Sequence, residues 1–193
     1  MKNAHTIYPC GTNITNYDLE HLTKIHTIDL CGTHITDEGL KHIKSVKCIN
    51  LNNTCITDEG LKYLDNAVVA DLTNTNITNA GLRYLKNIKI INLNNCRKIT
   101  NEGLTHLKNA HTILVNGTNI TVNGLQTFCN NKVNNLLYNP LVTPFLIYQS
   151  FKQEIRPTIY INIDIQSAEI ENYIINEYGQ MLHIIFYYHY IDQ

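Results

Sequence analysis

The chain has 193 residues, a formal net charge of −1 at pH 7 and an apolar content of 44%. One domain, alone or with an appendage, is the expectation for this length. The near-neutral charge argues against a nucleic-acid partner, because nucleic-acid-binding faces are strongly basic. No apolar run reaches the roughly 18 residues of a membrane span, and the N-terminal segment has no secretory signal pattern. We therefore expect a cytoplasmic protein whose six cysteines are reduced thiols.

A sequence motif of thirteen residues, such as the one at 34–46, returns along the first two thirds of the chain. Its Ile-Thr pair recurs every 21 or 22 residues, at Ile14, Ile35, Ile56, Ile77, Ile99 and Ile120. A Gly-Leu pair follows in five copies, and Asp18-Leu19 takes its place in the first. Such a period is typical of a solenoid, whose units bury their apolar sides only by stacking.

Each copy begins with a short alternating run, such as "TIDL" at 27–30. Ile28 and Leu30 lie on one side of this run and Asp29 lies on the other, which predicts a strand with one buried face. Ile35, five residues after the end of the run, is expected to be a third buried residue.

A short helix is predicted to follow each strand. Thr36 has the position of a helix N-cap, and the acidic residues after it, beginning with Asp37, face the positive helix end. Leu40 and Ile43 lie on one helical side and are predicted to turn toward the same core. Gly39 weakens the helix, which indicates a close approach of backbone at this point.

The pattern I-x-L-x-x-T-x-I-T-D-E-G-L-x-x-L resembles a leucine-rich repeat, and the resemblance covers residues 4–128. The copy "INLNNCRKITNEGLTHL" is similar to the cysteine-containing repeats of F-box proteins, with Cys96 at the cysteine position. Copies with threonine there also resemble repeats of bacterial and giant-virus proteins. The richness in Asn, Ile, Tyr and Lys indicates an AT-rich genome, which fits a viral protein acting in the host cytoplasm.

The resemblance implies an α/β fold: a leucine-rich repeat solenoid, a short horseshoe with parallel strands on the concave side and short helices on the convex side. It also implies a protein–protein interaction module that binds its partner on the concave strand face. The alternative is the substrate-recognition component of a ubiquitin-ligase system. No F-box precedes the repeats, so any docking element for such a system would have to lie in residues 129–193.

The outward strand positions form columns across the predicted sheet. The predicted partner-binding residues of the first column are Tyr8, Asp29, Asn50, Asp71 and Asn92, and those of the second are Asn52, Thr73 and Asn94. Two interpretations stay open: a shallow polar binding surface, or a solvated sheet whose amide side chains stack along neighbouring strands.

Neither an enzyme nor a cofactor or metal site is expected, because the sequence shows no nucleophile–base pair, phosphate-binding loop or ligand cluster. Cys10 and Cys31 are predicted to be neighbours on adjacent strands, either as a disulfide or, favoured in the cytoplasm, as reduced thiols. A Cys2His2 site with His5 and His26 is the less favoured alternative, because these histidines lie upstream on the strands. A packing or surface ladder is predicted for one helix position, occupied by His21, His42, Tyr63, Tyr84 and His106.

The repeat phrase is lost after Phe128, and two domains are predicted: the six-repeat solenoid at 1–128 and a C-terminal segment at 129–193. In this segment "TIYINIDI" at 158–165 alternates as a strand. A short helix is predicted from Ser167 to Gly179, followed by a strand at 181–191. This small β-α-β unit is predicted to cap the last repeat, with a separate functional segment as the alternative.

Overall fold

The computed structural model describes residues 5–110, 112–121, 123–125, 127–128, 144–147 and 160–163. Its repeats carry the short strands β1 (Thr6–Ile7), β2 (Thr27–Asp29), β3 (Cys48–Asn50), β4 (Val69–Asp71), β5 (Ile90–Asn92) and β6 (Thr112–Leu114). Between them lie the one-turn helices α1 (Asn16–Leu19), α2 (Asp37–Leu40), α3 (Asp58–Leu61), α4 (Asn79–Leu82) and α5 (Asn101–Leu104).

The strands β1 to β6 form one parallel sheet in the order of the chain. Thr27 pairs with Cys48, and Cys48 pairs with Val69, so equivalent residues of successive repeats lie side by side. The helices contact one another in the same order, from α1 to α5. The fold is therefore the expected α/β leucine-rich repeat solenoid, with a layer of parallel strands and a layer of short helices.

The hydrophobic core lies between the strand layer and the helix layer. In the second repeat, the predicted core residues Ile28, Leu30, Ile35, Leu40 and Ile43 have no exposed surface. Their equivalents in the next three repeats are also buried: Ile49, Leu51, Ile56, Leu61, Leu64, Ala70, Leu72, Ile77, Leu82, Leu85, Ile91, Leu93, Ile99, Leu104 and Leu107. Burial of each large aliphatic side chain contributes about 1.5–3 kcal/mol. The predicted core is confirmed.

A tight turn leads the chain out of the sheet after each strand. One residue of the turn has a positive φ and is glycine or asparagine in every repeat: Gly11, Gly32, Asn53, Asn74, Asn95 and Gly117. These two residue types adopt the left-handed region at the least cost. The Thr33 hydroxyl closes the turn by donating to the Leu30 carbonyl at 2.7 Å. The sequence analysis did not identify this turn.

The glycine in each helix contacts the preceding repeat. A Cβ atom on Gly39 would lie 2.6 Å from Asn16 Oδ1 and 3.0 Å from Leu19 Cδ1. Asn16 is held in this place by Thr36, whose backbone N–H donates to Asn16 Oδ1 at 3.1 Å and whose hydroxyl accepts from Asn16 Nδ2 at 2.8 Å. The predicted close approach at Gly39 is confirmed, but the groups that approach are side chains rather than backbone.

Thr36 is the N-cap of α2, as predicted, although its side chain makes no capping hydrogen bond to its own helix. Asp37 instead links two repeats, because it accepts from the Thr57 backbone at 2.8 Å and from the Thr57 hydroxyl at 2.6 Å. We name this series the Asx–Thr ladder; its members are Asn16–Thr36, Asp37–Thr57, Asp58–Thr78, Asn79–Thr100 and Asn101–Thr121.

Two strands are described in the C-terminal segment, β7 (Pro144–Ile147) and β8 (Tyr160–Ile163). β8 lies within the strand predicted at 158–165. Its partner is β7, in an antiparallel pair that the sequence analysis did not predict, and β8 also contacts β6. The predicted helix at 167–179 and the predicted strand at 181–191 lie outside the described residues. The cap and the boundary at 128 stay predictions.

Among the residues that the structure describes, no helix has the length and apolar character that crossing a membrane requires.

Candidate binding face

The sheet side that points away from the helices, here named the strand face, carries the predicted partner-binding residues. Asp29 pairs with Asn50, Asn50 with Asp71, and Asp71 with Asn92 in the parallel register. Adjacent strands are about 4.8 Å apart, so these side chains form a continuous polar row. Tyr8 directly follows the edge strand β1, whose register with β2 places it beside Asp29 at the end of the row.

Each Asx side chain of this row is bonded to its own backbone. Asp29 Oδ1 accepts from the N–H of Cys31 at 3.0 Å, and Asn50 Oδ1 accepts from the N–H of Asn52 at the same distance. Asp71 and Asn92 repeat the bond, at 2.9 and 3.1 Å. The bonds satisfy backbone donors where each strand ends, so the row also has a structural role.

Acids and amides alternate along the row. Asn92 Nδ2 donates to Asp71 Oδ2 at 3.2 Å. Burial raises the pKa of the Asp29 carboxyl, and hydrogen bonds from the Cys31 backbone and the Asn50 side chain offset part of the rise. Because an amide separates the two carboxylates, like charges do not lie directly opposite each other on neighbouring strands.

The row is less exposed than predicted. Asp29, Asn50, Asp71 and Asn92 retain only 5, 4, 5 and 1% of their exposure, whereas Tyr8 retains 45%. The expectation of solvated side chains is therefore wrong for these four. Their short side chains fold back onto the strand ends and shield one another. Asn92 and Asp71 do contact each other across neighbouring strands, and the choice between a binding surface and a sheet of stacked amides stays open.

The second column contains acceptors that the fold leaves unpaired. Asn94 Oδ1 accepts from the Asn116 backbone at 2.8 Å. In contrast, Asn52 Oδ1 and Thr73 Oγ1 are buried atoms with no hydrogen-bond partner among the described residues. The register of β3 and β4 makes these two residues neighbours. A buried polar atom without a partner costs about 1–3 kcal/mol, so these two atoms lower the stability of this part of the sheet.

Cys10 and Cys31 are neighbours on the strand face, as predicted, and both are free thiols. The Gly11 N–H donates to the Cys31 carbonyl at 2.8 Å, which holds the two strand ends together. The alternative Cys2His2 site is wrong. The rings of His5 and His26 stack at the start of the strands, with their centroids 5.1 Å apart. The third potential ligand beside the two cysteines is Asp29 rather than a histidine.

The helix side of the solenoid carries ion pairs and contacts between cations and aromatic rings. Tyr63 and Tyr84 pack against the core, which agrees with the predicted packing ladder. Lys62 Nζ lies 5.2 Å from the Tyr63 ring centre and also forms an ion pair with Glu59 at 2.7 Å. Exposed pairs of this type contribute little to stability, because solvent screens the two charges.

Comparison with known proteins agrees with this fold. A family model described as Leucine Rich repeat matches residues 21–44 and 42–64, which belong to the second and third repeats. No curated protein matches the chain. The match and the sheet of parallel strands together support a leucine-rich repeat protein. Leucine-rich repeats generally mediate protein–protein interaction, and their solenoids are typically binding scaffolds rather than enzymes.

Proposed function

We propose that the solenoid binds a protein partner across its strand face, at the residues named from the sequence. The observation that carries the proposal is Tyr8, a large side chain that is 45% exposed at the end of the row of Asp29, Asn50 and Asp71. Asn52 Oδ1 and Thr73 Oγ1 lie further along the sheet as buried atoms without a partner, and a docking protein reaches them only after their side chains rotate. N–H donors that meet the rotated side chains would regain the free energy that the unpaired atoms cost.

The chemistry of the strand face favours a donor-rich, basic partner segment. The outward positions of β1 to β6 carry Asp29 and Asp71 but no lysine or arginine. The other polar groups are amides and hydroxyls, which accept hydrogen bonds from lysine, arginine or backbone N–H groups. Charge complementarity of this kind guides encounter and determines the register of the partner.

Tyr8 is the residue of this face that a partner reaches most easily. It is 45% exposed at the edge strand, and tyrosine is among the residues that dominate binding energy at interfaces. Asp29 lies beside it and contributes to the raised pKa of Tyr8, after burial. We place the aromatic anchor of the interaction at Tyr8 and the first polar contact at Asn52, which is partly exposed, whereas Thr73 and Asn94 are only 6 and 3% exposed.

Two tyrosines of the first repeat allow a matched test. Tyr8 lies on the strand face and Tyr17 lies on α1, where it is 68% exposed. Proteins retained from host-cell extract by the immobilised chain would be identified by mass spectrometry, purified and titrated against each variant. We expect Tyr8→Ala to weaken the affinity about tenfold or more, which is about 1.4 kcal/mol. Tyr17→Ala should bind like the original chain, and both should keep the melting temperature.

A second pair of variants tests the middle of the sheet. Asn52→Arg places a long charged side chain among the unpaired acceptors, whereas Ala80→Arg places the same side chain on the exposed side of α4. Asn52→Arg should abolish binding of a basic partner and Ala80→Arg should not. The opposite result would place the interaction on the helices. The ubiquitin-ligase alternative stays a prediction, because its docking element would have to lie in residues 129–193, of which the structure describes only 144–147 and 160–163.

A further inference from the structure

A cluster of three metal-ligating side chains lies at one corner of the strand face. Cys10, Cys31 and Asp29 each offer a ligand atom, and the three atoms lie within 4.8 Å of one another. Neither thiol contributes to the hydrophobic core. The cluster involves β1 and β2 only, so it is distinct from the unpaired acceptors in the middle of the sheet.

We propose that Cys10, Cys31 and Asp29 bind one Zn²⁺ ion, with water at the fourth position. Two thiolates and a carboxylate are ligands that zinc accepts, at about 2.3 Å for sulfur and about 2.0–2.2 Å for oxygen. Tetrahedral ligation at these lengths needs ligand atoms roughly 3.5 Å apart, so the side chains would close in on the ion from their separations of up to 4.8 Å. Thiolate ligands disfavour Mg²⁺ and Ca²⁺.

The backbone holds the three ligands in place before an ion arrives. The Cys31 N–H donates to Asp29 Oδ1 at 3.0 Å, and the Gly11 N–H donates to the Cys31 carbonyl at 2.8 Å. A carboxylate has about four lone-pair sites, so Asp29 can keep this bond while it binds the ion. Such a bond orients the ligand. Cys10 is exposed, which gives the ion a path from solvent.

The protonation state of the thiols determines how the affinity changes with pH. The ion must displace protons from both thiols, and its positive charge favours this displacement. The affinity for zinc should therefore rise with pH across the neutral range, by up to about 100-fold per pH unit for two protons released.

Cobalt provides a direct readout, because tetrahedral Co²⁺ bound by thiolates has a charge-transfer band in the near ultraviolet and strong visible bands. The reduced, metal-free full chain would be titrated with Co²⁺, which Zn²⁺ should then displace. We expect one ion per chain. Cys10→Ser and Cys31→Ser should lose the band, and Asp29→Asn should weaken binding about tenfold or more. The control is Cys55→Ser, an exposed cysteine outside the cluster, which should bind like the original chain.

Thermal unfolding of the same proteins separates loss of the site from loss of the fold. Cys10 is exposed, so Cys10→Ser should keep the melting temperature of the metal-free chain while losing the rise that zinc produces. A thiolate band that survives in Cys10→Ser, or no band in the original chain, would overturn the proposal. A Cys10–Cys31 disulfide in protein isolated with its thiols blocked at lysis would also overturn it.

Discussion

Asp29 shows how a single residue of the strand face combines a structural bond with an electrostatic cost. Its Oδ1 accepts from the Cys31 N–H at 3.0 Å, and Asn50 makes the same bond to Asn52 with an amide oxygen. The carboxylate is therefore not required for this bond. Burial raises the pKa of Asp29, which means that the folded state disfavours its charged form.

Asp29→Asn should therefore stabilise the metal-free chain at neutral pH. A carboxyl whose pKa is raised by folding binds its proton more tightly in the folded state. The cost of its charge is complete above the folded pKa and disappears as the pH falls toward the unfolded value of about 3.9. The melting temperature of the variant should exceed that of the original chain at pH 7, and the two should converge in acid. Equal melting temperatures at pH 7 would show that the charge costs nothing.

Gly60 is a second residue whose role depends on the neighbouring repeat. A Cβ atom there would collide with Oδ1 of the Asp37 carboxylate and lie 3.1 Å from its Cγ. Gly60→Ala should destabilise the chain by roughly 1–3 kcal/mol, the usual cost of overpacking, although alanine is the better helix former. Urea unfolding measures the change. In an Asp37→Ala background the cost of Gly60→Ala should be smaller, and equal costs would rule out this contact as the cause.

At the scale of the element, the helices need support from their neighbours. A helix of one turn is not stable alone, because nucleation costs more than its few hydrogen bonds return. The Asx–Thr ladder supplies bonds between successive repeats at the start of each helix. In the first repeat Asp18 replaces the glycine, and its carboxylate accepts from the Thr15 N–H at 2.8 Å and the Thr15 hydroxyl at 2.7 Å. Asp18 thus bonds to the threonine of its own repeat, whereas in later repeats the Asx residue of the preceding repeat makes these bonds.

The ladder predicts a contrast between two changes at Asp58. Its carboxylate accepts from the Thr78 N–H at 2.7 Å and from the Thr78 hydroxyl at 2.6 Å. Asp58→Ala should lose both bonds and cost about 1–3 kcal/mol in urea unfolding. Asp58→Asn should cost much less, because Asn79 makes the equivalent pair of bonds to Thr100. A large loss in both variants would assign the effect to charge instead of to the ladder.

At the scale of the whole molecule, the repeat pattern predicted most of the fold and little of its polar structure. Periodicity identified Ile28, Leu30 and the other core residues, because apolar spacing alone determines which sides stack. The Asx–Thr ladder joins residues 20 or 21 positions apart, so it becomes visible only when the register between repeats is known. The burial of Asp29 could not be predicted from the sequence either, because it depends on how closely neighbouring strands lie.

The C-terminal segment provides the prediction for the molecule as a whole. Leu125 and Phe128 are 5 and 9% exposed at the end of the last repeat, and β8 contacts β6. If residues 129–193 cap the solenoid, a chain ending at Asn131 should expose apolar surface and aggregate or melt at lower temperature. Light scattering and thermal unfolding measure both effects. A truncated chain that stays monomeric and equally stable would make the segment an independent appendage.

The central claim, that a protein partner occupies the strand face, is tested most directly by site-specific photo-crosslinking. A benzophenone side chain would replace either Tyr8 on the strand face or Tyr17 on α1, the two large exposed apolar residues of the described solenoid. After irradiation in extract of the cells in which the protein occurs, the account predicts a defined crosslinked protein from position 8 and none from position 17. A crosslink to the same partner from position 17, with none from position 8, would contradict it.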